Sequence, residues 1–200
     1  MRATQRVVVM AGFVLGLQAS RAAAQHPQIR EGFWINFGVG YGSAHEKCNG
    51  CSDTTVSGVT GFLRLGGTVS PHLLIGGEIQ GLSHGYAAVD SFPSAKEIIG
   101  SVTASLYYYP KPASGFFLKA GLGFSDYRFT VNGSSGTVTG LGGGMIVGLG
   151  YDIRVGRNVS LTPTGDLWYG SVGDLKSGST QVGTGWKQAV VSFGLGVTFH

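Results

Sequence analysis

The sequence predicts an all-β fold, an eight-stranded antiparallel up-and-down transmembrane β-barrel. Three observations predict it. Eight stretches alternate apolar with small or polar residues at a period of two, the spacing that puts successive side chains on opposite faces of a strand. The segments joining them alternate short and long without exception. Charged residues make up only 12% of the chain, against about 25% in ordinary soluble domains, while 36 of the 200 residues are glycine.

The amino-terminal segment sets the compartment. Arg2 and Arg6 precede the apolar run Val7–Leu17, and Ala22-Ala23-Ala24 supplies the small residues of a cleavage site before Gln25. Residues 1–24 are therefore expected to be a secretory signal peptide and residues 25–200 one barrel domain. No stretch reaches the roughly 18 consecutive apolar residues of a transmembrane helix. Removing the leader also removes Arg2, Arg6 and Arg21, so the net charge of +4 falls to +1. The mature chain has no basic stripe for a phosphate backbone, and nucleic acid is not an expected partner. The 8 Tyr, 11 Phe and 3 Trp of the full chain, all but Phe13 outside the leader, separate it from disordered glycine-rich chains.

The expected strands follow in order. The first, Phe33 to Gly42, sets Phe33, Ile35, Phe37, Val39 and Tyr41 against Asn36 and glycines. The second, near 59–69, sets Val59, Leu63, Leu65 and Val69 against Thr60, Arg64, Gly66 and Thr68. The third, near 73–82, sets Leu73, Ile75 and Ile79 against Glu78 and Gln80. The fourth, near 98–109, opposes Val102, Ala104, Leu106 and Tyr108 to Ser101, Thr103, Ser105 and Tyr107. In the fifth, 116–125, Phe116, Leu118, Leu122 and Phe124 face away from Lys119 and Ser125. The sixth opposes Met145, Val147, Leu149 and Tyr151 to Gly144, Gly148, Gly150 and Asp152. The seventh opposes Val159, Leu161, Leu167 and Tyr169 to Ser160, Thr162, Thr164 and Asp166, and Pro163 within it predicts a bulge or irregularity. The eighth, VSFGLGVTFH, closes the chain.

Short turns at 70–72, 110–115 and 154–158 alternate with long polar segments near 43–57, 83–96, 126–137 and 170–185. This is the plan of outer-membrane barrels, whose short turns lie in the periplasm. The apolar faces must then point outward to lipid. Turned inward, they would leave an exterior of Gly, Ser and Thr with almost no charge, and they would overfill an eight-stranded lumen. Ten residues at about 3.3 Å each, tilted by about 40°, rise roughly 25 Å, the height of the lipid-facing band. Phe33, Tyr108, Phe116, Tyr151 and Phe199 mark one interface, and Tyr41, Phe124 and Tyr169 the other.

The whole mature chain resembles the small outer-membrane β-barrel domain family, of the eight-stranded OmpA transmembrane domain and OmpX type. The eight alternating strands, the loop asymmetry and the last strand carry the resemblance. It implies a place in the cell outer membrane, among outer-membrane lipid and lipopolysaccharide. It also implies that Phe193, Leu195, Val197 and Phe199 form a carboxy-terminal assembly signal read by the barrel-assembly machinery. In this family the signal ends on an aromatic, whereas here His200 follows Phe199.

Inward ionisable residues are Arg64, Glu78, Lys119, Asp152 and Asp166. Arg64 and Glu78, each seven residues from Pro71, are expected opposite each other as a buried ion pair, and Lys119 with Asp152 as a second. Cys48 and Cys51 sit in the first long segment of an exported chain, so a disulfide is expected; the alternative, metal binding with His45, offers three ligands where a closed zinc site takes four. A lipid-modifying enzyme would need a nucleophile and a base. Ser83-His84 or His45 with Ser43 could supply them, without distinctive spacing. GLGGGMIVGLG lies within a strand, so its glycines are read as relieving lumen crowding rather than binding nucleotide. The reading is a monomeric barrel with a filled polar lumen, no cofactor and a structural or surface-interaction role. A surface ligand is expected at the second and fourth long segments, near Tyr86, Phe92 and Leu175. A narrow channel is the alternative and an enzyme the third.

Overall fold

The computed structural model describes residues 30–89, 93–133 and 136–200. The expected signal peptide and Phe92 lie outside the described residues. Eight long strands carry the fold: β1 (Phe33–Lys47), β2 (Thr54–Ser70), β3 (Leu73–Tyr86), β4 (Ala95–Tyr108), β5 (Phe116–Val131), β6 (Thr137–Tyr151), β8 (Val159–Ser177) and β9 (Thr180–Phe199). A two-residue strand, β7 (Ile153–Arg154), continues β6. Each long strand pairs antiparallel with its sequence neighbour, and β9 pairs with β1.

The sheet closes on itself. Following register partners from Asn36 leads through Arg64, Glu78, Thr103, Gly123, Gly144, Gly170 and Gln188. The circuit returns to β1 at Glu46, ten residues beyond its start. That stagger obliges the strands to tilt, so residues level with one another are not register partners all the way round.

The apolar faces point outward. Phe193 (71% exposed), Leu122 (70%), Leu141 (70%), Val39 (67%) and Phe124 (64%) stand on the exterior, while Asn36, Arg64, Glu78, Thr103, Lys119 and Asp166 are buried inside. A folded soluble chain has no reason to expose this continuous belt, and lipid supplies one.

Two expectations change, and a third takes one of its two forms. First, the lumen is not polar throughout. Leu82, Ile99, Ile146, Trp168 and Val190 form an apolar tier in its outer half, and Trp34, Leu74, Tyr107, Tyr109 and Phe117 an aromatic cluster toward the short turns. Interior glycines make the room: a Cβ on Gly38, Gly194 or Gly196 would run into the Phe62 ring, and one on Gly76 into Trp34. Second, strands run on into the long polar segments. β8 and β9 run on to a tight turn at Gly178, which adopts a φ of 61° that favours glycine. Leu175 is therefore a buried residue of the apolar tier rather than a loop contact, and the Tyr86 hydroxyl bonds to Glu97. Third, the irregularity expected at Pro163 is present, not as a bulge but as a break in the facing strand, while Pro163 keeps its register opposite Leu195. Its missing N–H faces β6, where the ladder breaks and Asp152 N donates to Gly115 O at 2.9 Å.

Candidate functional site: the lumen and its outer mouth

Four charged side chains fill the middle of the lumen. Arg64 and Glu78 are direct register partners, and Arg64 Nε donates to Glu78 Oε1 at 2.8 Å. The other arm of the guanidinium, Nη2, donates to Asp166 Oδ2 at 2.6 Å, and its plane lies 4.0 Å over the Phe62 ring. Lys119 Nζ bridges the same two acids, bonding Glu78 Oε1 and standing 3.0 Å from Asp166 Oδ1. Tyr107 donates its hydroxyl to Glu78 Oε2 at 3.0 Å. Two cations and two anions, each at most 4% exposed at the side chain, thus neutralise one another.

Lys119 and Asp152 do not pair. Lys119 lies opposite Gly148, and Asp152 is four positions further toward the short turns, beyond the reach of the ammonium. Asp152 belongs to a separate group. It accepts from Tyr109 Oη at 2.9 Å and from Thr162 Oγ1 at 2.8 Å, and it meets Arg30 Nη2 at 3.5 Å. Sequence reasoning missed Arg30, which lies upstream of the first strand and reaches back to Pro112 O and Ser114 O. It also left His200 unexplained: the ring turns into the lumen, its Nε2 3.6 Å from Asp152 Oδ2.

The outer mouth holds a second buried acidic pair, also missed. Glu46 on β1 and Glu97 on β4 are 3% and 1% exposed. Both continue the inward parity of their strands past the point where the apolar alternation stops, and that parity was the available signal. Their outward neighbours are His45 and Lys47 beside Glu46, and Lys96 and Ile98 beside Glu97, so the lipid-facing band ends at Ile98 and this level stands at its outer edge, past the membrane-spanning part of the strands. Tyr86 Oη donates to Glu97 Oε2 at 2.8 Å, and Tyr127 lies beside Glu97. The Glu46 carboxyl meets that of Glu97; burial, followed by the Glu97 charge, pushes its pKa up to about 8.

At the tip of the β1–β2 connection, a disulfide joins Cys48 and Cys51. His45 does not turn to them. Its Nδ1 lies 3.1 Å from Thr55 Oγ1, and its Nε2 3.6 Å from Asp53 Oδ2. A hydrogen bond from Lys47 holds the exposed Asp53 carboxyl below its usual range. Ser43 bonds Ser57 rather than His45, and His84 turns its Nδ1 toward Ser57 O at 2.6 Å, away from Ser83. Neither serine–histidine combination is assembled.

These features match a known family by sequence. The profile of the outer membrane protein beta-barrel domain family matches residues 9–199. The chain belongs to this family. Comparison with curated proteins gives no significant match. Among solved structures, this family member is similar to Ail, the attachment invasion locus protein of Yersinia pestis, at 16% identity and a TM-score of 0.54, over 84% of this chain and 99% of that one. Ail has also been crystallised with the heparin analogue sucrose octasulfate. Neisserial surface protein A is similar at 19% identity and a TM-score of 0.53 (86% and 98% covered). OprG from Pseudomonas aeruginosa is similar at 17% and 0.52 (86% and 97%). At these identities the likeness is one of fold. The chain is an outer-membrane β-barrel protein of the cell envelope.

Proposed function

We propose that the protein is a closed, non-enzymatic barrel that presents its projecting strand ends to ligands at the cell surface. The observation that carries this reading is the filled lumen. The Arg64–Glu78–Lys119–Asp166 group occupies the middle and the apolar tier lies beyond it. The interior cavity between Trp34, Arg64, Tyr107, Asp152 and His200 measures about 10 Å³, room for a single water at most. A solute path is therefore blocked, and the surface left for work is the outer end.

That end is basic on its outward side. Lys47, Lys96, Arg128, Lys176 and Lys187 are all exposed there, and Lys47 and Lys187 are direct register partners on β1 and β9. Asp53 meets Lys47 at 2.8 Å and Asp174 is exposed on β8, so the cations offered to an anion are chiefly Lys96, Arg128, Lys176 and Lys187. The ligand class this ring fits is a polyanionic glycan or glycolipid headgroup, with outer-membrane lipid and lipopolysaccharide around the band below. Val191 to Phe199 closes the ring of strands against β1 and is the segment offered to the barrel-assembly machinery.

The test uses barrel reconstituted in liposomes free of lipopolysaccharide, with sucrose octasulfate as probe. Saturable binding that weakens at least tenfold in Lys96→Glu/Arg128→Glu supports the reading. Absence of binding, or binding indifferent to these changes, overturns the surface-ligand part. Adding lipopolysaccharide as competitor separates a lipid headgroup source from a soluble glycan.

A further inference from the structure

We propose that Glu46 and Glu97 form a proton-held latch across the outer mouth, one shared proton tying β1 to β4, whose loss under alkaline conditions frees the projecting strand ends. The proposal is independent of the surface-ligand reading.

β1 and β4 are not neighbours in the sheet, so this contact is a strut across the lumen rather than part of a ladder. Both carboxyls are buried, and among the described residues no salt bridge reaches either one. Glu97 Oε2 already accepts the Tyr86 hydroxyl at 2.8 Å. Glu46 Oε1 is fully buried and meets no donor. The consistent assignment is a protonated Glu46 that donates to the Glu97 carboxyl. Without that proton, two negative charges would face each other beside Leu82, Ile99 and Val56 with no cation to offset them.

The surrounding groups leave the proton to this pair. β3 contributes His84, whose Nδ1 donates to Ser57 O, and Tyr86. β5 contributes Tyr127, packed against Trp186 of β9 at 4.6 Å. From β2, β8 and β9 come Val56, Val172, Leu175 and Gln188, none of them titratable; Gln188 Nε2 donates to Ser125 Oγ and Asp126 O. The basic side chains at this height, His45, Lys47, Lys96, Arg128 and Lys187, sit on the outward face. On opening, the Glu46 proton passes to bulk water and both carboxylates are hydrated.

The experiment follows the refolded full-length barrel in detergent micelles from pH 6 to pH 10. Infrared spectroscopy reads the protonated carboxylic acid, and amide hydrogen exchange, corrected for its intrinsic base catalysis, reads the ends of β1 and β4. The latch predicts loss of the carboxylic acid band with a midpoint near pH 8. It also predicts corrected exchange at the two strand ends rising by roughly tenfold per pH unit below that midpoint and levelling above it. In Glu46→Gln, whose amide donates to Glu97 at every pH, the band and the exchange transition should both be absent. In His84→Asn both should persist. No protonated carboxyl at pH 7 in the wild type would overturn the proposal, as would carboxyl titration without a change in exchange, or a transition that follows His84. The wild-type comparison of band and exchange stands alone if Glu46→Gln does not refold.

Discussion

Lys119 and Asp166 lie two strands apart, on β5 and β8, yet the lysine ammonium stands 3.0 Å from Asp166 Oδ1. Gly148 of β6 is the register partner of both residues. Because it has no side chain, the two can meet over it. The same bareness lets Arg64 and Glu78, from the opposite wall, complete a neutral group of four. A lone member of this group would be a buried charge without compensation, so the four are held together by what each would cost alone.

Gly148→Val should therefore disrupt the group. A Cβ there would collide with Asp166 Oδ1 and lie 2.8 Å from Lys119 Cε. Lys119→Met, which leaves an excess of buried carboxylate, should cost about 3–5 kcal/mol in urea unfolding from lipid vesicles, while Lys119→Met/Asp166→Leu should recover much of it. A Lys119→Met barrel as stable as the wild type would mean that the pairing contributes nothing.

The strand faces are tested at Phe193, which is 71% exposed on β9. Phe193→Arg should destabilise the inserted barrel by about 2–4 kcal/mol near the bilayer middle, and Phe193→Leu by much less. Its neighbour Ser192 is buried in the lumen and lies opposite Gly42 and Asp166, so an arginine there would have no space. Equal effects of Arg and Leu at Phe193 would contradict a lipid-facing position.

Stability should depend on pH through Glu46. Its pKa is about 8 in the folded barrel against an ordinary 4.5, so the native state holds a proton that the unfolded chain releases over that range. The contribution is fully present below about pH 4.5 and is lost as pH rises through about 8. Unfolding midpoints measured at pH 6 and pH 9 should fall in the wild type and change little in Glu46→Gln. A wild-type midpoint that rises across this window has the wrong sign.

Removing the Cys48–Cys51 disulfide should matter little to the barrel. It closes a ring of four residues at the tip of one connection, and so small a ring restricts the unfolded chain by about 2 kcal/mol at most. Cys48→Ser/Cys51→Ser should refold normally and lose stability within that limit. Failure to refold would place the bond in the assembly step.

The sequence made the strands and their faces legible because alternation at period two is a direct imprint of one wet and one lipid-facing side. Contacts across the lumen were harder. Arg64 and Glu78 could be placed by counting from Pro71, since a hairpin fixes its own register. Pairing Lys119 with Asp152 because both lie toward the short-turn end of neighbouring strands overlooks that Lys119 is level with Gly148 on the adjacent strand and so looks past it to Asp166. The mouth escaped notice for another reason. Above the lipid band the outward residues become polar, as at Ser43, His45 and Lys47, so the contrast between faces vanishes while the ladder continues. Glu46, Glu97 and Leu175 all lie in that stretch, inward-facing strand residues in segments that read as loop.

The central claim is that the lumen is closed by its buried charges and the surface carries the function. Single-channel recording of the refolded barrel in a planar bilayer tests it most directly. The account predicts a flat baseline for the wild type, with discrete openings appearing in Arg64→Ala, where the guanidinium that spans Glu78 and Asp166 is gone. Steady wild-type currents, unchanged in Arg64→Ala, would contradict it and make the protein a channel.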